Sequence, residues 1–126
     1  GDYRNGKPMA IGCLQVWKIY WQDATEFSKI GGTYTDCFKR EYAKRVLDAY
    51  MRRYAKEAWT CPEKFNAEKV SRIHNGGPKG YRKTATLKYW AKVKAALLEG
   101  QAGVVYLPGY RVPALGFVNL PWRRAT

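Results

Sequence analysis

Apolar residues recur with helical spacing along most of the chain before Gly100, and each run is closed by glycine or proline. Residues 14–27 are apolar and aromatic nearly all round, which predicts a buried segment with a helix over 19–28, broken by Gly31 and Gly32. From 39 to 58, Tyr42, Val46, Ala49, Tyr50 and Tyr54 share one face and Lys and Arg take the other, predicting the longest helix. Residues 59–65 contain Pro62 and read as a connection. Asn66 caps a short helix that stops at Gly76-Gly77, and Thr84 caps a last helix with Leu87, Trp90, Val93 and Leu97 on one face.

After Gly100 the period shortens. Residues 104–107 and 110–112 flank Pro108-Gly109 and read as two short strands joined by a turn, and the tail from 113 to 126 carries Phe117, Leu120 and Trp122. That tail reads as an arm packing on its own domain or on a protein partner. The predicted class is mainly α, a compact helical domain over 1–99 with a short irregular or β C-terminal extension over 100–126. The opening residues 1–8 are polar and turn-rich and start at Gly1, so the chain reads as processed or as a fragment.

With 126 residues and 46% hydrophobic content, one core is expected. No apolar run reaches the roughly 18 residues of a membrane span, and no signal-peptide pattern opens the chain. The formal charge of +13 sets the sign of the partner: nucleic acid, an anionic lipid surface or an anionic wall polymer. The basic residues are scattered and no nucleic-acid recognition motif is present, which disfavours nucleic acid. Cys13, Cys37 and Cys61 allow one internal disulfide at most, and a single histidine with no CxxC pair argues against a metal site. No cofactor is expected.

The run 72–81, reading Arg-Ile-His-Asn-Gly-Gly-Pro-Lys-Gly-Tyr, is the most distinctive local feature. Gly76 and Gly77 can end a helix and Pro78 prevents its continuation, while Asn75, Lys79 and Tyr81 offer an amide, a cation and a ring. By itself this could be helix punctuation.

A second, distant segment changes that. Residues 10–16 (Ala-Ile-Gly-Cys-Leu-Gln-Val) and the following Tyr20-Trp21-Gln22-Asp23 resemble the "G-x-x-Q-[IV]…YW-x-D" segment of invertebrate-type (i-type, destabilase-like) lysozymes. The match continues through 49–56, Thr60-Cys61-Pro62, 72–80 and 86–90, in the family's order. Goose-type lysozymes and lytic transglycosylases carry a similar pair, a "G-[LM]-[ML]-Q-[VI]" segment and a later "N-A-G-P" loop, to which residues 13–16 and Asn75-Gly76-Gly77-Pro78 correspond.

The resemblance implies an α+β lysozyme-like fold and a peptidoglycan or other anionic cell-wall glycan as partner. It places Gln15 and the loop Asn75, Gly76, Gly77, Pro78 and Tyr81 along a glycan groove, with His74 beside them and Tyr20 and Tyr81 as rings for stacking on sugars. Trp17, Trp21 and Trp90 are read as core. A secreted, periplasmic or virion-associated protein would follow.

Glycoside hydrolysis normally uses two carboxyl groups. In the resembled lysozymes the acid is a Glu in an "E-S-[GN]" segment, followed about a dozen residues later by an Asp. Asp2 corresponds to that Asp, and the Glu is expected ahead of Gly1. Glu26, Glu41, Glu57, Glu63, Glu68 and Glu99 read as surface carboxylates, Asp23 as a salt bridge or cap, and Cys13 lacks the partner base of a nucleophile. Three functions fit in descending order: a muramidase or lytic transglycosylase, a catalytically inactive lysozyme-fold wall-binding or phage-particle protein, and a basic nucleic-acid binder.

Overall fold

The computed structural model describes residues 3–4, 7–98, 104–107 and 110–113, with side chains described over 9–95. Its architecture is mainly helical. A short antiparallel hairpin, β1 (Tyr3–Arg4) and β2 (Lys7–Pro8), leads into a tight loop at 11–16 and then α1 (Lys18–Ser28). A 3-10 turn (Tyr34–Phe38) precedes α2 (Arg40–Tyr54), and α3 (Lys56–Thr60) follows almost at once. After α4 (Ala67–Gly76), two 3-10 turns (Gly80–Arg82 and Thr84–Thr86) feed α5 (Leu87–Leu98). A second antiparallel hairpin, β3 (Val104–Leu107) with β4 (Tyr110–Pro113), adjoins α5 through β3.

The expected strands at 104–107 and 110–112 are present, β4 running one residue further. The Pro108-Gly109 turn and the tail beyond 113 lie outside the described residues, as does Asp2.

The core forms where α1 packs on α2 and where α4 meets α2 and α5. Val16, Val46, Met51, Trp59, Val70, Ile73 and Val93 are essentially inaccessible. On α2 the buried set Ala43, Val46, Leu47, Ala49, Tyr50 and Met51 follows the helical period that the sequence carries. The single long helix expected over 39–58 is instead two, because Ala55 leaves helical geometry at φ −149° and ψ 43°. Ala55 is itself buried, so the bend turns α3 back onto the core and seats Trp59, whose indole Nε1 donates to the Asp48 carboxylate at 2.9 Å.

Two other expectations change. The segment 14–27 is not buried all round: on α1 only Tyr20 and Ala24, one turn apart, face inward. Trp17, at the extended N-cap, Ile19, and Phe27 in the last turn are 47%, 69% and 51% exposed, so Trp17 is not core. Trp21 and Trp90 are half-buried against it. Thr84 does not cap α5; it is exposed in the preceding turn, and the buried threonine is Thr86. Asn66 does cap α4, its side-chain oxygen accepting from the Lys69 backbone N–H at 3.0 Å.

Before α1 the chain folds back on itself. Ile11 and Val16 exchange backbone hydrogen bonds of 3.0 and 2.9 Å around a loop whose Gly12 has φ +75° and whose Gln15 has φ +50°. A Cβ on Gly12 would stand 2.2 Å from the Cys37 carbonyl oxygen, so glycine is required by close approach as well as by conformation. The Tyr34 hydroxyl ties the same loop down by donating to the Val16 carbonyl at 2.7 Å. Gly31 provides a control, since it has φ +72° with nothing near its missing Cβ. Gly31→Ala is expected to cost only left-handed strain, roughly 1 kcal/mol. Gly12→Ala also displaces backbone and is expected to cost about 3 kcal/mol or more. Urea unfolding of both variants checks this, and equal losses would show that the loop yields.

Candidate functional site

Two segments far apart in sequence meet through one side chain. His74, in the last turn of α4, places Nε2 3.0 Å from the Leu14 carbonyl oxygen and Nδ1 2.9 Å from the Tyr20 hydroxyl. A carbonyl can only accept, so Nε2 carries the proton; in the neutral ring Nδ1 is then the acceptor and Tyr20 the donor. The histidine therefore joins α4, the 11–16 loop and α1. Removal from water pushes its pKa down from 6.5 to about 4, the Leu14 bond opposing this in part.

Tyr20 is held from the other side by Tyr50 of α2, the two rings stacked with centroids 3.6 Å apart. At 6% exposure it offers no ring to a sugar, and its role is to position His74. Burial, with the neighbouring Tyr50, Tyr89 and Cys37, pushes its pKa well above the phenol range, so the hydroxyl keeps the proton it donates.

The bond from Leu14 to His74 sets Gln15 and Asn75, each the next residue in its segment, on either side of one contact. Gln15 curls back, its Nε2 donating to the Gly12 carbonyl at 3.1 Å, which leaves its amide oxygen without a partner among the described residues. Asn75 is half-buried, and its amide bonds to no described residue. These are two amide groups with unused capacity, on backbone that cannot easily move.

Beyond Asn75 the chain turns sharply. Gly77 has φ +91°, Pro78 is exposed, and Gly80 approaches so closely that a Cβ would lie 2.0 Å from the Arg72 carbonyl oxygen. Gly76 ends α4 against the Thr86 methyl group. Three side chains that the sequence reading gave no such role fix this loop. The Lys83 ammonium donates to the Gly76 carbonyl at 2.7 Å, satisfying a helix-end acceptor. The Arg72 guanidinium donates to the Lys83 carbonyl at 2.9 Å, to Thr86 Oγ1 at 2.8 Å and to the Glu68 carboxylate at 2.8 Å. Thr86 Oγ1 lies 2.7 Å from the Gly80 carbonyl, which accepts from it. Arg72 and Thr86 stood in segments quoted from the sequence, but nothing in those segments marked either residue as holding this loop. Tyr81 is half-buried with Lys69 Nζ 4.8 Å and Arg82 Cζ 5.3 Å from its ring centroid.

The described carboxylates are engaged elsewhere. Glu26 pairs with Arg53 at 3.2 Å, Asp48 with Arg52 at 3.0 Å and Glu57 with Lys64 at 3.2 Å. Asp36 caps its own turn through Thr33, which holds its pKa below the usual range, and Asp23 bonds the Tyr54 hydroxyl. Among the described residues no group of three His, Cys, Asp or Glu could hold a metal. Burial pushes the Cys37 thiol up to about 12, so it is an unreactive core residue.

Comparison with known proteins covers this whole arrangement. Residues 5–96 match the family model described as Destabilase. A lysozyme of Magallana gigas is 41% identical over 88 residues, covering 67% of this chain and 58% of that protein. A lysozyme of Ostrea edulis is 37% identical over 97 residues, 75% of this chain and 65% of that protein. An invertebrate-type lysozyme of Ruditapes philippinarum is 35% identical over 83 residues, 65% of this chain and 57% of that protein. The chain thus spans less than two thirds of the length of each of these relatives.

The lowered pKa of His74 fixes a pH dependence. An unfolded histidine binds its proton near pH 6.5 and the folded one only near 4, so between these values the unfolded chain holds more protons. The stability that neutral His74 contributes is therefore complete above pH 6.5 and is lost as pH falls toward 4. A loss on the order of 2 kcal/mol across that window is expected from urea unfolding, and His74→Ala should flatten the part between pH 6.5 and 5, since it removes the chain's one histidine. Tyr20→Phe leaves Nδ1 without its donor and should cost about 1–3 kcal/mol at pH 7. An unchanged slope in His74→Ala would show that the imidazole is not held neutral.

Proposed function

We infer the activity of this chain from its family: it belongs to the Destabilase family, whose model matches residues 5–96, and its relatives are lysozymes, invertebrate-type among them. The chain binds peptidoglycan and serves its cleavage at the β-1,4 bond between N-acetylmuramic acid and N-acetylglucosamine, by hydrolysis or by lytic transglycosylation. The single observation that supports this reading most is the His74 clamp, which joins the two segments that the lysozyme resemblance pairs, the segment of Gln15 and the segment of Asn75.

In this reading the two amides take the hydrogen bonds of an N-acetyl group, whose carbonyl accepts and whose N–H donates. The rigid turn at Gly76, Gly77 and Pro78 lets a glycan strand approach close to backbone, and Tyr81 lies along its path. His74 does not transfer protons: with both nitrogens engaged and its pKa near 4, it positions the groove. Asp2 is the carboxylate that stabilises the oxocarbenium-like centre or orients water; in the resembled lysozymes the acid that protonates the leaving oxygen is a Glu about a dozen residues ahead of that Asp.

A second reading, binding without cleavage as in a wall-binding or particle protein, is favoured by one observation: the described carboxylates are already engaged by neighbouring side chains or caps. The two readings separate on turbidity clearing of purified peptidoglycan by the protein with its natural upstream residues. Clearing is expected, with Asp2→Asn lowering the rate at least about a hundredfold while retention on peptidoglycan persists. Retention with no clearing would establish the second reading and sink the first.

A further inference from the structure

The charge of this protein is unevenly divided. Residues 69–98 contain eight Lys and Arg and no Asp or Glu, whereas residues 1–68 contain twelve against nine. The salt bridges follow the same division. Of the six among the described residues, five lie within residues 26–64, and the sixth, between Arg72 and Glu68, sits on the border. α4, the loop after it and α5 pack together, so the acid-free stretch is one contiguous part of the molecule.

Within it, two cations are consumed by structure: Arg72 and Lys83 hold the loop. Others are not. Lys88 and Lys92 are exposed one turn apart on α5, and neither meets a carboxylate among the described residues. Lys69 and Arg82 both sit at the Tyr81 ring, their charged groups 4.8 and 5.3 Å from its centroid, and neither forms a salt bridge among the described residues. An external anion is attracted by both.

We propose that this surface, with the Lys69 and Arg82 pair at Tyr81 and Lys88 and Lys92 on α5, docks a linear phosphodiester polymer of the bacterial wall, of the poly(glycerol phosphate) class. The proposal rests on the wall-glycan reading for where its ligand is met, and on charge complementarity for the rest. A polymer with one phosphate per flexible repeat can follow a surface of separate cations. A nucleic acid would add bases that need stacking rings, and the ring available, Tyr81, is already occupied by cations. Binding here tethers the protein to the wall next to the glycan groove, the two meeting at Tyr81.

The test uses the full chain and purified walls, either intact or stripped of phosphodiester polymer by hydrofluoric acid. Wild type should be retained more strongly on intact than on stripped walls, with the excess lost as salt rises. The double variant Lys88→Gln/Lys92→Gln, at exposed helix positions, should lose part of that excess. Adding Lys69→Gln and Arg82→Gln should lower retention on intact walls about tenfold, and by more than it lowers retention on stripped walls; Lys88→Gln/Lys92→Gln alone should leave retention on stripped walls unchanged. Equal retention of wild type on both walls, or unchanged retention of the fourfold variant, overturns the proposal and leaves the glycan reading standing. Tighter binding to DNA than to soluble poly(glycerol phosphate), at equal phosphate and salt, assigns the surface to nucleic acid and also overturns it. Failure to bind stripped walls at all would count against the glycan reading instead.

Discussion

A carbonyl oxygen has no proton to give, so the Leu14 carbonyl decides which nitrogen of His74 is protonated, and through that the direction of the Tyr20 hydrogen bond. The three groups satisfy one another only in this arrangement with a neutral ring. Protonating the imidazole would turn Nδ1 into a donor to the Tyr20 oxygen and leave the Tyr20 proton without this acceptor, inside a setting that already disfavours charge. Tyr20 cannot easily turn away, because Tyr50 stacks on it from α2. The separation between the 11–16 loop and the end of α4 is thus set by packing and by hydrogen bonding together. Any groove between these segments inherits its width from that one side chain.

The remaining freedom is removed from the other end of the loop. A helix terminus leaves carbonyls unsatisfied, and here Lys83 reaches back to Gly76 while Arg72 reaches forward to the carbonyl of Lys83. The two cations cross, each anchoring the other's segment, and Thr86 closes the ring by serving Gly80. Gly80 has to be glycine for this to occur, since the Arg72 carbonyl occupies the place of a Cβ. A turn rich in glycine would ordinarily be loose; this one spends its glycines on close approach.

Helices and their ends could be read from the sequence wherever their cause was local. Asn66 and Gly77 could be placed because a cap and a left-handed stop depend on the neighbouring residues alone. Ala55 could not, because nothing about alanine forbids helix, and the break follows from the gain of turning Trp59 inward. Trp17 failed for the complementary reason: hydropathy assigned it to the core, but it stands at the N-cap of α1 with extended backbone, outside the helix, and is exposed. At the site, Gln15 and His74 to Tyr81 were legible as motifs, while the contact that joins them was not. That contact runs through a backbone carbonyl, which every residue has and no sequence pattern marks. Tyr20 shows the cost of this: its ring invites a sugar in the sequence, and only the partners across the fold reveal that it is spent on a histidine.

The same cations that make the loop rigid bear on what the surface can attract. Had the acid-free stretch been random, its charges would scatter, and repulsion would favour loosening α4 from α5. Instead the structure draws Arg72 and Lys83 inward onto carbonyls and onto Glu68, where a positive charge is stabilised by oxygen lone pairs and by the negative end of the α4 dipole. Folding of this half therefore does not require carboxylates on its outer face. The absence of acid there is affordable structurally, and it leaves Lys88 and Lys92 without competitors for an external anion. The rigid turn and the cationic face are in this sense one construction, in which the cations satisfied within the fold allow the others to remain free.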